Sequence, residues 1–254
     1  MLIEQTMDKM ISMKMYKMAE SFKERIARVD HRSLDKSEFI GLLVDDEYQD
    51  RQNKKMFSRL RVAKFKETQA CIENIDYKHK RELKKGEVLE LAQNHWIKKH
   101  QNILLTGPTG VGKSYLAQAL GNNACRNGFT VLYTRTSKLL LTLVTARADG
   151  TYINKLKKIS KADVLILDDF GLTPLEDYHK QDLFEIIEDR NGTGSTIITA
   201  QLPTEHWHEY LGGGMLGDGI CDRLLHHCHN LKLSGETYRV KASCLTQAGH
   251  PEKP

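Results

Sequence analysis

Gly107-Pro108-Thr109-Gly110-Val111-Gly112-Lys113-Ser114 decides how the rest of the chain reads. It matches G-x-x-x-x-G-K-[ST] at every fixed position. Just before it, Asn102-Ile103-Leu104-Leu105-Thr106 has the apolar composition of a strand buried on both faces. Just after it, Tyr115 to Leu120 has helical spacing and good helix formers. Strand, glycine loop, helix is an arrangement suited to phosphate. The first turn of a helix carries unpaired N–H groups and a partial positive charge. Gly107, Gly110 and Gly112 let the backbone wrap closely. Lys113 adds a full charge near the β and γ phosphates, and Ser114 offers a hydroxyl to Mg²⁺.

A second stretch completes the chemistry. Asp163-Val164-Leu165-Ile166-Leu167-Asp168-Asp169 is an apolar strand ending in paired acids, about fifty residues downstream. Alone, Asp-Asp is an ordinary strand-ending turn. Behind a phosphate loop, Asp168 is expected to hold Mg²⁺ and Asp169 to orient or deprotonate the attacking water. Strands are also expected at Phe129–Thr134, Ser195–Ala200 and His229–Leu233, with helices at Ser137–Ala148, Gln181–Arg190 and Asp218–His227. This alternation predicts a doubly wound parallel sheet. Ligands of such sheets lie outside the carboxyl ends of the strands. The glycine loop, Asp168, Asp169 and Gln201 all follow strand ends, so one edge collects the chemistry.

The 254 residues suffice for one large domain and a small one. No apolar run reaches membrane-spanning length and the first twenty residues lack a signal-peptide core, so a cytoplasmic protein is expected. Five cysteines without a C-x-x-C pair fit reduced thiols. The net charge of +5 is modest, but its distribution is not. Between Arg51 and Lys85 twelve Lys or Arg face four acids, an excess of eight.

Residues 1–70 read as a helical, basic domain for DNA binding and oligomerisation. Residues 71–246 read as the nucleotide-binding domain and 247–254 as a disordered tail. Met7, Met10, Ile11, Met15 and Met18 form a helical stripe with the spacing of a core face. Ser33 is an N-cap candidate, with Phe39, Leu42, Leu43 and Tyr48 inward. Arg59, Arg61, Lys64 and Lys66 are candidate phosphate contacts on a helix whose apolar stripe is Met56, Leu60 and Ala63. Lys155, Lys157, Lys158 and Lys161 form a second basic cluster, of which Lys155, Lys157 and Lys158 are further candidate DNA contacts. One helix is expected over Glu87–Lys99 after a break at Lys84-Lys85-Gly86.

These stretches carry a family likeness. The chain resembles the AAA+ ATPases of the IstB/DnaC group over nearly its whole length. The likeness runs from Leu34–Leu43 and Arg59-Leu60-Arg61-Val62-Ala63-Lys64-Phe65, through the phosphate loop and Val164–Gly171, to Thr196–Gln201, Trp207, Asp222-Arg223-Leu224-Leu225-His226 and Gly235–Arg239. The downstream motifs are more similar to IstB, a transposon's helper ATPase, than to the helicase loader DnaC. The resemblance implies strand order 5-1-4-3-2 and an Mg²⁺-dependent ATPase that self-assembles on double-stranded DNA, as a ring or helix, to assist a transposase. It implies that Arg223 is supplied to a neighbouring subunit's ATP and that Gln201 senses the γ-phosphate. The family pattern has Glu where this chain has Asp169, one methylene shorter, which implies slow or stimulated turnover. Little chain follows the fifth strand to build a helical lid, which bears on whether Arg239 acts as a second sensor.

Three other readings stand beside this one. A helicase loader would use the same ATPase. A zinc module would use Cys221, His226, His227, Cys228 and His229, although their spacing fits no common zinc pattern. A metabolic kinase would need an acceptor pocket and lid for which the sequence shows no segment.

Overall fold

The computed structural model describes residues 2–27, 35–77, 82–235 and 237. Ser33, Lys78, Lys80, Arg81, Arg239, Cys244 and the tail lie outside them. The chain forms two compact units, Met1–Ser58 and Arg59–Pro254. The second begins twelve residues before the expected boundary at 70/71. The reason is apolar: Ala63 and Ala70 are buried in its core, and Leu60 and Phe65 pack against it.

The first unit contains α1 (Leu2–Ser12), α2 (Tyr16–Ala27) and most of α3 (Lys36–Ala63). The expected methionine stripe is cut in two at Lys14, whose φ of 58° is left-handed. No residue of α1 is buried. Of the four inward candidates, Leu43 is buried, whereas Leu42 is 36% and Tyr48 58% exposed. Polar clasps do much of the fastening. Glu47 accepts the Met18 N–H at 3.0 Å and pairs with Arg51, which reaches the Lys14 carbonyl at 3.1 Å. Asp46 accepts from Arg25 at 2.8 Å and from Ser21.

The second unit is a five-stranded sheet, all of whose pairings are parallel. Its strands are β1 (Asn102–Thr106), β2 (Val131–Arg135), β3 (Val164–Phe170), β4 (Ser195–Ala200) and β5 (Cys228–Lys232). The order is β2-β3-β4-β1-β5, the expected 5-1-4-3-2 seen from the other edge. Strand side chains alternate between faces, and the two cores divide accordingly. Ile103, Leu105, Val164, Ile166 and Ile197 face one cluster. Leu104, Leu165, Leu167 and Ile198 face the other.

Helices cover both faces. On the first lie α6 (Lys113–Arg126), α4 (Lys85–Ala92) and α5 (His95–Lys98). On the second lie α7 (Thr136–Ala148), α8 (Tyr152–Ser160), α9 (Asp177–Arg190), α10 (Trp207–Tyr210) and α11 (Gly214–Leu225). The single helix expected over Glu87–Lys99 is two, and it starts at Lys85 instead of breaking there. Asn94 makes the break: it is buried and left-handed at φ 61°, and Asn123 donates to its side chain at 3.3 Å.

Candidate active site and basic groove

The phosphate loop lies between the end of β1 and Gly112, the N-cap of α6. Its glycines are required by space as well as conformation. At Gly107, φ 142°, a Cβ would collide with the Leu233 carbonyl oxygen. At Gly110, φ 86°, it would collide with the Thr237 hydroxyl. Pro108, Thr109 and Val111 complete the turn, with Val111 buried under it. Lys113 is only 8% exposed, and its ammonium donates to the Gly107 and Pro108 carbonyls, each at 2.7 Å. The Gly107 N–H donates to the Ala200 carbonyl at 3.2 Å, which fastens the loop to the end of β4.

Asp168 is buried and fully engaged. Its Oδ1 accepts from Ser114 Oγ at 2.7 Å and from Thr199 Oγ1 at 2.5 Å. Its Oδ2 accepts from the Tyr133 hydroxyl at 2.7 Å. Burial, reinforced by the bond to Asp168, pushes the Tyr133 phenol well above its ordinary range, so it stays protonated and donates. Sequence reasoning missed Thr199 and Tyr133. The one signal was a hydroxyl-bearing side chain at or past the middle of each strand.

Asp169 points elsewhere because the backbone turns. The β3–β4 register shifts between Leu167 and Phe170, and Asp169 sits at φ 59°. Bulges redirect side chains in this way, and Asp tolerates the left-handed region better than most residues. The Asp169 N–H donates to Thr199 Oγ1 at 3.0 Å, so Thr199 holds both acids. The Asp169 carboxylate is 38% exposed and lies 3.5 Å from Arg135 Nε. Burial, and then the charge of Asp168, raises its pKa above the usual aspartate value; Arg135, Lys113 and Lys66 oppose the rise. Gln201 directly follows β4 beside the loop and is exposed. Thr199 is the side chain of this strand that reaches the acids.

Arg223 lies at the other edge of the sheet. Asn102, the first residue of β1, donates to the Arg223 carbonyl at 3.0 Å. The phosphate loop follows the strand's last residue, roughly 13 Å away at about 3.3 Å per residue. Arg223 forms an ion pair with Glu188 of α9, not with Asp222 or Asp218. It also lines a cavity of about 330 Å³ at the strand starts.

The two basic clusters partly converge. Lys64, Lys66, Lys155 and Lys158 line one cavity of about 480 Å³, together with Arg135 and Lys138, and among the described residues no acid lines it. Its floor includes Leu132, Leu139 and Ile159. Arg135 and Lys138 were not singled out in the sequence, because only the pairing of β2 with β3 brings them beside the others. Arg61 and Lys157 are exposed outside the cavity lining. Arg59 is half-buried and donates to the Cys125 carbonyl at 2.9 Å, which satisfies the last turn of α6. The zinc candidates do not converge. Cys221 and Cys228 pack against the second core, and His229 is hydrogen-bonded to Gln101 at 3.1 Å. Among the described residues no group of three His, Cys, Asp or Glu could hold a metal.

Known proteins share this architecture. The crystal structure of the DnaC helicase loader superposes with a TM-score of 0.56 at 22% identity, covering 65% of this chain and 96% of that one. The replication initiator DnaA, bound to AMPPCP and single-stranded DNA, gives 0.56 at 20% identity, covering 66% of this chain and 50% of its own. At these identities the likeness establishes the AAA+ fold alone. The sequence relatives say more. A Sinorhizobium fredii protein named as an insertion-sequence ATP-binding protein is 43% identical over 94% of this chain and 97% of its own. A Mycobacterium tuberculosis protein named likewise is 32% identical, covering 91% of this chain and 92% of its own. The family model described as IstB-like ATP binding protein matches residues 8–246, and with the phosphate loop and buried acid in place this chain belongs to that family.

Proposed function

We propose that this protein is an Mg²⁺-dependent ATPase that splits ATP to ADP and phosphate, self-assembles on double-stranded DNA as a homo-oligomeric ring or helix, and assists a transposase. The observation that carries the ATPase reading is the cluster at the strand ends: Ser114 and Asp168 oxygens 2.7 Å apart, beside Lys113, with Asp169 turned toward solvent. Ser114 and Asp168 are the hard oxygen donors that Mg²⁺ takes, and Gly107, Gly110 and Gly112 hold the loop at positive φ ahead of a helix N-terminus, so the residues fit a bound nucleotide. Mg²⁺ held by Ser114 and Asp168 would neutralise negative charge on the nucleotide's phosphates. Lys113 exchanges its two loop carbonyls for phosphate oxygens. Thr199 keeps Asp168 oriented, and Asp169 orients or takes a proton from the attacking water. Gln201, at the same strand end, is the γ-phosphate sensor.

Arg223, remote from its own loop, takes the role that the family resemblance implies for it, serving a neighbouring subunit's ATP. The six-cation cavity binds DNA phosphates, with Arg61 and Lys157 as flanking contacts and Arg59 as support. The insertion-sequence relatives favour a transposase over a replicative helicase as partner. Among the described residues no helix is long and apolar enough to cross a membrane.

The test is nucleotide binding and turnover of the purified chain. Lys113→Ala should abolish tight ATP binding. Asp169→Asn should bind ATP and lose about 10²-fold or more in turnover. Wild-type turnover in Asp169→Asn would overturn the catalytic assignment. Stimulation by a helicase and not by the transposase would overturn the partner.

A further inference from the structure

We infer that Glu188 is a positioning residue that holds Arg223 ready for the neighbouring subunit's ATP; this rests on the trans role proposed for Arg223. The guanidinium is held on three sides within its own chain. Glu188 pairs with it at Nε, as an ion pair without hydrogen-bond alignment. Arg223 Nη1 donates to the Gly219 carbonyl at 2.9 Å, one turn back on α11. The Phe184 ring, one turn before Glu188 on α9, lies 5.2 Å from the guanidinium carbon. A fourth constraint supports this seat from below. Gly219 has no side chain, and a Cβ there would press on Phe184 at 2.7 Å and on Arg223 Nη1 at 3.3 Å.

These contacts use the inner side of the fork. A guanidinium has five N–H donors in a fixed plane. The contacts at Nε and Nη1 leave the outer Nη2 edge, and Arg223 borders the open 330 Å³ cavity at the strand starts. The side chain is 23% exposed, enough to present that edge while the rest stays fixed. An unrestrained arginine would lose rotamer freedom each time it met a phosphoryl group. One already oriented by a carboxylate and a ring avoids that cost, and misplacement of about 1 Å can cost about 10²-fold in rate. Glu188 also neutralises part of the charge, which is tolerable because its carboxylate is 48% exposed and screened.

The experiment is a double-mutant cycle in the full-length protein with DNA present, reading kcat and KM for ATP. Glu188→Ala and Glu188→Gln should each lower kcat about 10- to 100-fold while KM stays within about twofold. Glu188→Asp, which keeps the charge, should recover part of the loss. In the Arg223→Ala background, Glu188→Ala should lower kcat no further, because its effect passes through the absent guanidinium. If the double variant is impaired beyond Arg223→Ala, Glu188 acts through general structure and the inference is wrong. If Arg223→Ala is impaired and Glu188→Ala turns over normally, the inference alone fails. If Arg223→Ala itself turns over normally, the trans role beneath it fails.

Discussion

Asp169 owes its position to a backbone conformation that few residues accept. At φ 59° it leaves the extended path just after Asp168, and the two carboxylates part company. One is buried among Ser114, Thr199 and Tyr133; the other is half-exposed beside Arg135. The adjacent acids were legible in the sequence because they stand side by side behind a phosphate loop. Thr199 and Arg135 were not, because their contacts depend on strand register across the sheet, where Arg135 sits opposite Asp168. A pH prediction follows from the pairing. Burial and Asp168 raise the pKa of Asp169, and Arg135 opposes the rise. A base must be unprotonated, so turnover falls as pH drops through that raised pKa. Removing Arg135 removes an opposing charge, so the pKa climbs further and the acid limb of kcat moves to higher pH. The displacement in Arg135→Ala is softened because both side chains are over a third exposed and screened. An acid limb that stays put or moves to lower pH would detach Arg135 from Asp169, the proposed base.

At the scale of elements, the strands were easy to find and the helix ends were not. Three of the five strands, β1, β3 and β4, carry adjacent apolar residues buried between two helical layers, and such runs stand out in a polar chain. The split of α4 from α5 depends on one buried asparagine whose partner, Asn123, lies on another helix. Arg190 shows the same limit. It ends α9, yet it is 1% exposed. Its guanidinium donates to the carbonyls of Ile159 and Ala162 at 2.8 and 2.7 Å, and to those of Asp163 and Ser195 at 3.4 and 2.6 Å. It thus ties the end of α8 to the starts of β3 and β4. Burial lowers its pKa to about 10, still far above neutrality, so it remains charged. Arg190→Met would strand several buried carbonyls at once. Each unsatisfied group costs about 1–3 kcal/mol, so a loss of about 3 kcal/mol or more is expected in denaturant unfolding. A loss under about 1 kcal/mol would show that water satisfies those carbonyls.

For the whole molecule, the arrangement of charge over the two edges of the sheet matters more than any motif. The β2 side gathers six cations in one cavity, with no acid among the described residues that line it. Neutralising Lys64, Lys66, Lys155 and Lys158 together should weaken DNA binding and reduce the slope of log K against log salt by up to about four, at roughly 0.9 per phosphate contact. An unchanged slope would move DNA to another surface. Arg223 stands at the strand starts, remote from its own phosphate loop, and this separation makes assembly testable. Arg223→Ala subunits should bind ATP almost normally and hydrolyse it poorly, since an arginine at the transferring phosphoryl can be worth about 10³–10⁵ in rate. Asp169→Asn subunits should fail for the opposite reason: they keep the arginine and lack the acid. In a one-to-one mixture on DNA, some interfaces join an intact Asp169 to an intact Arg223, which neither variant alone can do. Turnover should therefore rise above that of either variant by itself. If the arginine served its own subunit, every active site in the mixture would still lack one of the two groups, and no recovery would appear. Gel filtration showing co-assembly, together with turnover no higher than in the separate variants, would remove the trans arginine from the mechanism and leave the Glu188 ion pair as a purely structural contact.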